Sequence, residues 1–273
     1  MITDNYKDSK NNLSTKLQLG IDIGSVSSKA LILANKNILA WEIIPSVGKL
    51  EIVAQEIIKR ALTSANISVR DISTAIATGY GANCVSLAAK SINDMTCHGR
   101  GVHELLPNAR TIVDIGGQFS RAIRIDSSGK IKSFVMSEKC AAGSGHLLQI
   151  IAKVLNIDMQ DMSKISTTST NKINFTTSCA VFIESEVVSR IAEGALKEDI
   201  VAGIYRSLAT KIQSLLERLG FEPDLALVGG GAKNTGLVSS IEELLGIKAF
   251  IPFEPQIVAA LGAALLAEEE AGI

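Results

Sequence analysis

The feature that most restricts the possible folds is a pattern that occurs twice. A strand-like run, Leu17–Ile23, ends in Asp22-Ile23-Gly24, and a second run, residues 110–115, ends in Asp114-Ile115-Gly116. Two short apolar runs separated by a turn follow each of them, as in an antiparallel meander, and helical patterns come later. The repeat of strand, acidic glycine turn, meander and helices predicts an α/β fold with an internal duplication.

The first copy of the pattern covers the N-terminal part of the chain. The turn Asn35-Lys36-Asn37 separates two strand-like runs. Apolar residues three or four apart predict a helix over Leu50–Ser64. A strand over residues 72–77 then leads into Thr78-Gly79-Tyr80-Gly81, a turn that lets the backbone approach a ligand.

The second copy is longer. Strands are predicted over residues 121–125 and 131–136, a surface loop over residues 163–174, a helix over residues 200–219 and a strand over residues 224–228. That strand runs into Gly229-Gly230-Gly231, and a closing helix is predicted over residues 254–270. We therefore expect a flexible tail at 1–16, a first lobe at 17–105 and a second lobe at 106–273. The C-terminal helix should pack back toward the first lobe.

Composition excludes several classes of function. Lys and Arg total 27 against 28 Asp and Glu, and aromatic residues are only 4%. Neither a basic surface for nucleic acid or an anionic membrane nor a set of base-stacking rings is indicated. Residues 1–16 lack the apolar core of a signal peptide, and the longest apolar run, residues 257–267, is too short to span a bilayer. The expectation is a cytoplasmic protein.

The two acidic glycine turns predict a nucleotide site. Asp22 and Asp114 each end a strand, and facing carboxylates can hold Mg²⁺ through water and orient an attacking water. Gln118 is placed to position that water, so Asp22, Asp114 and Gln118 are the predicted catalytic residues. Three structural turns are the alternative. No Walker-type phosphate loop and no dinucleotide fingerprint follow the first strand.

Glycine turns and hydroxyls supply the predicted nucleotide contacts, because they leave backbone N–H groups free for phosphate oxygens. The predicted contacts are Gly24, Ser25, Val26, Ser27, Ser28, Lys29, Gly116, Gly117, Gln118, Gly143, Gly145, Gly230, Gly231 and Gln256. Lys29 would add positive charge for phosphate, although a solvated strand lysine fits the same position. Gly230 and Gly231 would face the nucleoside.

Two of the four cysteines begin helical patterns. Cys140 lies in Lys139-Cys140-Ala141-Ala142-Gly143-Ser144-Gly145, and Cys179 precedes a second amphipathic run. A thiol at a helix N-terminus has a lowered pKa and is ready to bind metal. Two buried cysteines that act as small hydrophobes remain the alternative. The other two, Cys84 and Cys97, are interpreted as packing residues. The three histidines, His98, His103 and His146, are interpreted as surface or packing residues.

Together these pieces resemble a known family. The motifs are Gly20-Ile21-Asp22-Ile23-Gly24-Ser25 with Ser28-Lys29, Ala77-Thr78-Gly79-Tyr80-Gly81, Asp114-Ile115-Gly116-Gly117-Gln118, the Cys140 segment, and Cys179 with Val181-Phe182 and Glu184-Ser185-Glu186-Val187. Ala202-Gly203-Ile204 with Arg206-Ser207, and Ala260-Leu261-Gly262-Ala263-Ala264, also match. The order resembles the acetate and sugar kinase/heat-shock chaperone/actin superfamily, with its two-lobed ribonuclease H-like fold. Within it, the chain resembles BadF/BadG/BcrA/BcrD-type ATPases, in particular activators of 2-hydroxyacyl-CoA dehydratases.

The resemblance implies specific chemistry. Such activators are ATP-hydrolysing homodimers that hold one [4Fe–4S] cluster between their subunits, and Cys140 and Cys179 would be the two ligands from each subunit. A cluster of this kind takes four thiolates, which a two-fold axis supplies from two. The activators bind ATP or ADP with Mg²⁺ and take an electron from ferredoxin or flavodoxin. They pass it to a 2-hydroxyacyl-CoA dehydratase-like or benzoyl-CoA reductase-like partner, and ATP-driven closure of the lobes promotes the transfer.

The chain departs from the activators at four positions. Phe119 stands where they carry Asp, Ala82 and His146 replace Arg, and Glu138 replaces Asp. Phe119 is expected to affect metal handling, and Ala82 and His146 the surface that faces the partner. Two other classes stay open: a sugar-type small-molecule kinase of the same fold, and a non-redox nucleotide switch. Both would lack iron.

Overall fold

The structure is a computed structural model and describes residues 16–137, 144–175 and 180–272. Its first sheet contains β1 (Leu17–Ile23), β2 (Ser27–Ala34), β3 (Asn37–Pro45), β4 (Ile72–Thr78) and β5 (Lys90–Ser91), in the order β3-β2-β1-β4-β5. β1, β2 and β3 form an antiparallel meander, and β4 runs parallel to β1. Helices α1 (Leu50–Ser64) and α2 (Asp94–Leu105) belong to the same part of the chain, with short 3₁₀ turns at Val69–Asp71 and Ala82–Cys84.

The second sheet contains β6 (Thr111–Ile115), β7 (Ser120–Ile125), β8 (Ile131–Met136) and β9 (Leu225–Val228), in the order β8-β7-β6-β9. Its helices are α3 (Gly145–Leu155), α4 (Met162–Ser166), α5 (Ala180–Ala192), α6 (Lys197–Leu219), α7 (Thr235–Leu245) and α8 (Val258–Glu270), with a 3₁₀ turn at Gly230–Lys233. Every described helix is too short or too polar to span a bilayer.

The two sheets repeat one plan, and this confirms the predicted duplicated, ribonuclease H-like fold. In each, a first strand pairs with an antiparallel meander on one side and with a parallel strand on the other. The correspondence extends to register, because Asp22 lies opposite Lys29 in the first sheet and Asp114 lies opposite Arg121 in the second. The repeat therefore positions two acidic turns at the same edge of two equivalent sheets.

Each sheet has its own hydrophobic core. In the first lobe, α1 buries Val53, Ile57 and Ala61 against the sheet. These residues are four apart, within the spacing of three or four that the sequence predicted. In the second lobe, α6 packs on β7 and β8, and its long buried stripe belongs to a cluster that includes residues of β6, β9, α3 and α7. The predicted helix at Leu50–Ser64 and the predicted hairpin at Asn35 are both confirmed.

Helices α2 and α8 lie between the two sheets and approach each other closely. A Cβ at Gly262 of α8 would lie 1.8 Å from the carbonyl oxygen of Cys97 in α2. One turn away, a Cβ at Gly101 of α2 would lie 2.3 Å from the carbonyl oxygen of Val258 in α8. Backbone therefore contacts backbone along this pair. α8 also packs on β1, where a Cβ at Gly20 would collide with Ala260.

We expect Gly262→Ala to destabilise the protein by about 3 kcal/mol, because the new methyl group has only backbone to displace. Intrinsic helix propensity alone predicts that the variant is more stable than the wild type, since alanine stabilises a helix interior by about 1 kcal/mol relative to glycine. Urea unfolding of the variant and the wild type distinguishes the two. A more stable variant would contradict the close packing of α2 against α8.

Several elements differ from the sequence-based expectation. The closing helix begins at Val258 rather than at residue 254, because the Glu254 carboxylate accepts hydrogen bonds from Lys233 and from the backbone of Gln256. The segment predicted as a loop at residues 163–174 begins within α4. Helices α2 and α7 were not predicted. The lobe boundary at residues 105 and 106 stays a prediction.

Candidate functional site

A cleft of about 550 Å³ lies where the two acidic turns face each other. That volume is in the range of ligand-binding pockets. One wall carries Asp22 and the turn after β1, and the other carries Asp114 and the turn after β6. Both carboxylates are nearly buried, at 8% and 4% exposure. The arrangement brings two nearly buried carboxylates and several glycine turns together in one narrow space.

Most of the predicted site residues line this cleft. They are Asp22, Gly24, Ser25, Val26, Ser27, Lys29, Asp114, Gly116, Gly117, Gln118, Gly145, Gly230, Gly231 and Gln256. Ser28 does not, because β2 begins at Ser27 and alternate side chains face opposite sides of a strand. Its buried hydroxyl instead bonds the hydroxyl of Ser46 at 2.8 Å, so the predicted phosphate contact from Ser28 is wrong. Gly143, Cys140 and Cys179 lie outside the described residues.

Lys29 pairs with Asp22. The ammonium group donates to Asp22 Oδ2 at 3.1 Å and to the carbonyl oxygen of Ser27 at 3.1 Å. Both side chains are mostly buried and line the cleft. Lys29 is thus not a solvated strand lysine, and it holds its positive charge beside the first acidic turn.

Arg121 pairs with Asp114 in the corresponding position of the second lobe. Its Nε donates to Asp114 Oδ2 at 3.1 Å, Nη2 donates to the same oxygen, and Nη1 donates to Asp94 Oδ2 at 2.6 Å. Burial by itself would raise the pKa of Asp114, but the Arg121 guanidinium holds that pKa below its usual range. The carboxylate is therefore ionised and fixed by its partner at neutral pH.

The side chain of Phe119 covers the Arg121 guanidinium. The guanidinium carbon lies 5.2 Å from the centre of the Phe119 ring, within the range of a cation–π contact. This contact gives the departure at position 119 a structural role, since the ring shields the cation that an aspartate would pair with. Gln118 is exposed in the cleft next to it, where its amide can reach a bound water.

Glycine is required where the parallel strands β4 and β9 turn beneath the two carboxylates. Gly229 has φ +83°, and a Cβ there would lie 2.4 Å from Asp114 Oδ1. Gly79 has φ +86°, and a Cβ there would lie 2.3 Å from Asp22 Oδ1. The repeat thus includes the turns that support each carboxylate from below.

Sequence reasoning missed the contribution of α2. Asp94 and His98 line the cleft, and Nδ1 of His98 donates to the backbone carbonyl of Asp94 at 2.9 Å. His98 is consequently part of the candidate site rather than only a surface or packing residue. Arg121 was also missed, although the repeat carries a signal for it: Arg121 follows Asp114 by seven residues, as Lys29 follows Asp22.

The Cys140 segment is connected to the cleft at its C-terminal end. The backbone N–H of Gly145 donates to the carbonyl oxygen of Gly116 at 2.9 Å, and the Ser144 hydroxyl caps α3. α3 begins at Gly145, five residues after Cys140, whereas α5 begins at Ala180, directly after Cys179. Of the two cysteines, only Cys179 thus directly precedes a described helix.

The remaining cysteines behave as packing residues. Cys97 is fully buried between α2 and α8, and burial raises the pKa of its thiol to about 12. Cys84 is half-buried in a 3₁₀ turn. Among the described residues, no group of three histidine, cysteine or acidic side chains could hold a metal ion. Ala82 is buried in the first-lobe core, so its own side chain adds little to the surface.

Comparison with known proteins matches this architecture to a family. The family model of the BadF/BadG/BcrA/BcrD ATPases matches residues 19–267. The chain belongs to the BadF/BadG/BcrA/BcrD ATPase family. A curated relative, the activator of lactoyl-CoA dehydratase of Anaerotignum propionicum, is 41% identical over 254 residues. The match covers 93% of this chain and 98% of the relative.

Solved structures of family relatives have the same fold. Component A of the (R)-2-hydroxyglutaryl-CoA dehydratase of Acidaminococcus fermentans is 35% identical and superposes with a TM-score of 0.91. The match covers 95% of this chain and all of that one. The activator of the 2-hydroxyisocaproyl-CoA dehydratase of Clostridium difficile, solved with bound ADPNP, is 39% identical with a TM-score of 0.89. There the match covers 94% of this chain and 96% of the other.

Proposed function

We propose that this chain is an ATP-hydrolysing electron donor that activates a 2-hydroxyacyl-CoA dehydratase-like or benzoyl-CoA reductase-like partner in the cytoplasm. The observation that carries the proposal is the hydrogen bond from Gly145 to Gly116. It joins the Cys140 segment directly to the turn that follows Asp114. Cys140 precedes Gly145 by five residues in the sequence, and five residues span at most about 18 Å.

The cleft fits a magnesium nucleotide. Glycine turns line both walls, and several of them leave no room for a Cβ. Turns of this kind let backbone N–H groups approach phosphate oxygens. Asp22 and Asp114 each keep a cation partner, so Mg²⁺ held through its own waters leaves both ion pairs intact. Asp22 and Asp114 would orient those waters, and Gln118 would position the attacking one. Ser25, Ser27 and Lys29 contact phosphate, while Gly230, Gly231 and Gln256 contact the nucleoside.

Cys140 and Cys179 are the proposed thiolate ligands of a [4Fe–4S] cluster shared by two copies of the chain. Such a cluster supplies one-electron transfer at low potential when bound. Neither cysteine has a partner at metal-ligand spacing in the sequence, so a second copy must complete the set of four.

A homodimer also agrees with the surface of α5, the helix that follows Cys179. Phe182, Val188 and Ile191 are exposed on this helix in the single chain, with Phe182 at 64%. Ile183 and Val187 hold the helix on its own core. In our proposal the dimer accepts an electron from ferredoxin or flavodoxin. ATP bound between the two acidic turns would contact both lobes, and the hydrogen bond from Gly145 to Gly116 would link that contact to the chain that leads to Cys140.

Iron content after anaerobic purification tests the proposal. We expect about four irons and four acid-labile sulfides per dimer, lost in both Cys140→Ser and Cys179→Ser. The matched control is Cys84→Ser, which changes a half-buried thiol in the first lobe and should keep its iron. An iron-free wild type that still hydrolyses ATP would contradict the electron-donor function. It would leave a kinase or a nucleotide switch.

A further inference from the structure

Arg121 is shared between two carboxylates, and this distinguishes it from Lys29. All three of its nitrogens donate to acidic oxygens, two of them to Asp114 and one to Asp94. Lys29 has one carboxylate partner, Asp22, and otherwise donates to a backbone carbonyl. The repeat explains the pair of Arg121 with Asp114, but it does not explain Asp94, which comes from a helix outside the repeated strands.

The position of Asp94 is fixed by α2 rather than by the sheet that carries Arg121. Asp94 is the first residue of α2, Asn93 caps that helix by accepting from Met95 N–H at 2.8 Å, and His98 holds the carbonyl of Asp94. α2 in turn packs backbone to backbone on α8. The contact from Asp94 to Arg121 therefore joins the packed helices α2 and α8 to strand β7.

We propose that Asp94 is a positioning residue for ATP hydrolysis: by taking one guanidinium nitrogen of Arg121, it limits how strongly Arg121 holds Asp114. This inference rests on the function proposed above. When Asp94 shares Arg121, Asp114 retains an oxygen that can accept from a magnesium-bound water. When Asp94 is lost, the whole guanidinium turns to Asp114 and competes with that water.

Charge supports the same conclusion. Asp22 and Lys29 form a neutral pair, whereas Asp94, Asp114 and Arg121 together keep one negative charge within the cleft. The ring of Phe119 covers one face of the guanidinium and excludes a further acidic partner there. Asp94 supplies this extra negative charge beside Asp114, and the charge attracts a divalent cation.

The dependence on Mg²⁺ concentration is the test. For Asp94→Asn we expect kcat to fall and the half-saturating Mg²⁺ concentration to rise, each by about fivefold to tenfold, as for residues coupled within one network. Calorimetric titration with ADP should show unchanged affinity without Mg²⁺ and a smaller gain when Mg²⁺ is added. The matched control is Glu104→Gln, which breaks the Arg100–Glu104 pair on the same helix and should change none of these values.

Two further variants separate positioning from folding. Asp94→Glu keeps the charge and should recover most of the wild-type Mg²⁺ dependence. In an Arg121→Lys background, where one ammonium cannot bridge both carboxylates, Asp94→Asn should add little. The proposal is overturned if Asp94→Asn behaves like Glu104→Gln, or if it weakens ADP binding equally with and without Mg²⁺. A wild type that binds Mg-ADP but does not turn over ATP would contradict only the proposed function. The role of Asp94 would still be tested by comparing the ADP titrations of Asp94→Asn and the wild type, with and without Mg²⁺.

Discussion

Replacing Asp114 with asparagine should lower ATP turnover at least about 100-fold, the usual effect of losing a group that orients the reacting water. It should also destabilise the protein by about 3 kcal/mol, because two of the three guanidinium nitrogens of the buried Arg121 would lose their carboxylate acceptor. Asp94 would remain as a charged partner of Arg121. Steady-state ATPase assays and urea unfolding measure the two effects separately.

A second substitution distinguishes catalysis from stability. In Asp114→Asn with Arg121→Met, the buried cation that lost its Asp114 acceptor is gone, and Asp94 is exposed enough to be solvated. Stability should therefore return toward the wild-type value while ATP turnover stays low. Glu222→Gln is the control for the ion pair itself, since it breaks the exposed Arg124–Glu222 pair on the same strand and should cost under about 1 kcal/mol. Full activity in Asp114→Asn would remove Asp114 from the proposed chemistry.

Replacing Gly229 with alanine should have a comparably large effect on activity through geometry alone. The new methyl group would lie 2.4 Å from Asp114 Oδ1 and 2.7 Å from the carbonyl oxygen of Ile115, so the turn or the carboxylate must move. A displacement of about 1 Å at a reacting group can cost about 100-fold in rate. We expect a loss of that size in ATP turnover, measured at saturating Mg-ATP.

Gly48 provides a control for backbone strain. It has φ +91°, close to that of Gly229, but nothing lies within 4 Å of its missing Cβ. Gly48→Ala should therefore cost only the strain of a left-handed alanine, about 1 kcal/mol in unfolding free energy, and leave turnover unchanged. If both variants lose stability equally and both keep turnover, the contact beneath Asp114 is not needed for the reaction.

The strands and the acidic turns were predictable because local pattern and tertiary environment agree there. Asp22 and Asp114 end buried strands, and their glycine turns are visible in the sequence. The hydroxyl of Ser28 does not reach the cleft for a local reason: β2 already begins at Ser27, where a loop of hydroxyls was expected, and alternation turns Ser28 into the interior.

Helix α2 was not predictable from periodicity. It contains Gly99 and Gly101 and has few large apolar residues, so its intrinsic preference for helix is low. It is helical because those glycines allow close packing on α8 and on the turn at Gly129. The contact from Asp94 to Arg121 depends on this packing, which is why sequence reasoning found Asp114 but not the residues that hold its partner.

The repeat has a consequence for how a nucleotide can lie in the cleft. Two walls built on one plan offer a polyphosphate two nearly equivalent orientations. Catalysis needs a single bound orientation. At the turn where the second lobe has Gly230, the first lobe has Tyr80, whose ring is 80% exposed and lines the cleft. We therefore expect the nucleoside on the wall that carries Gly230, the wall whose cation, Arg121, is also bound by Asp94 of α2. The orientational degeneracy that duplication creates is thus removed by Tyr80 on one wall and by the contact of Asp94 with Arg121 on the other.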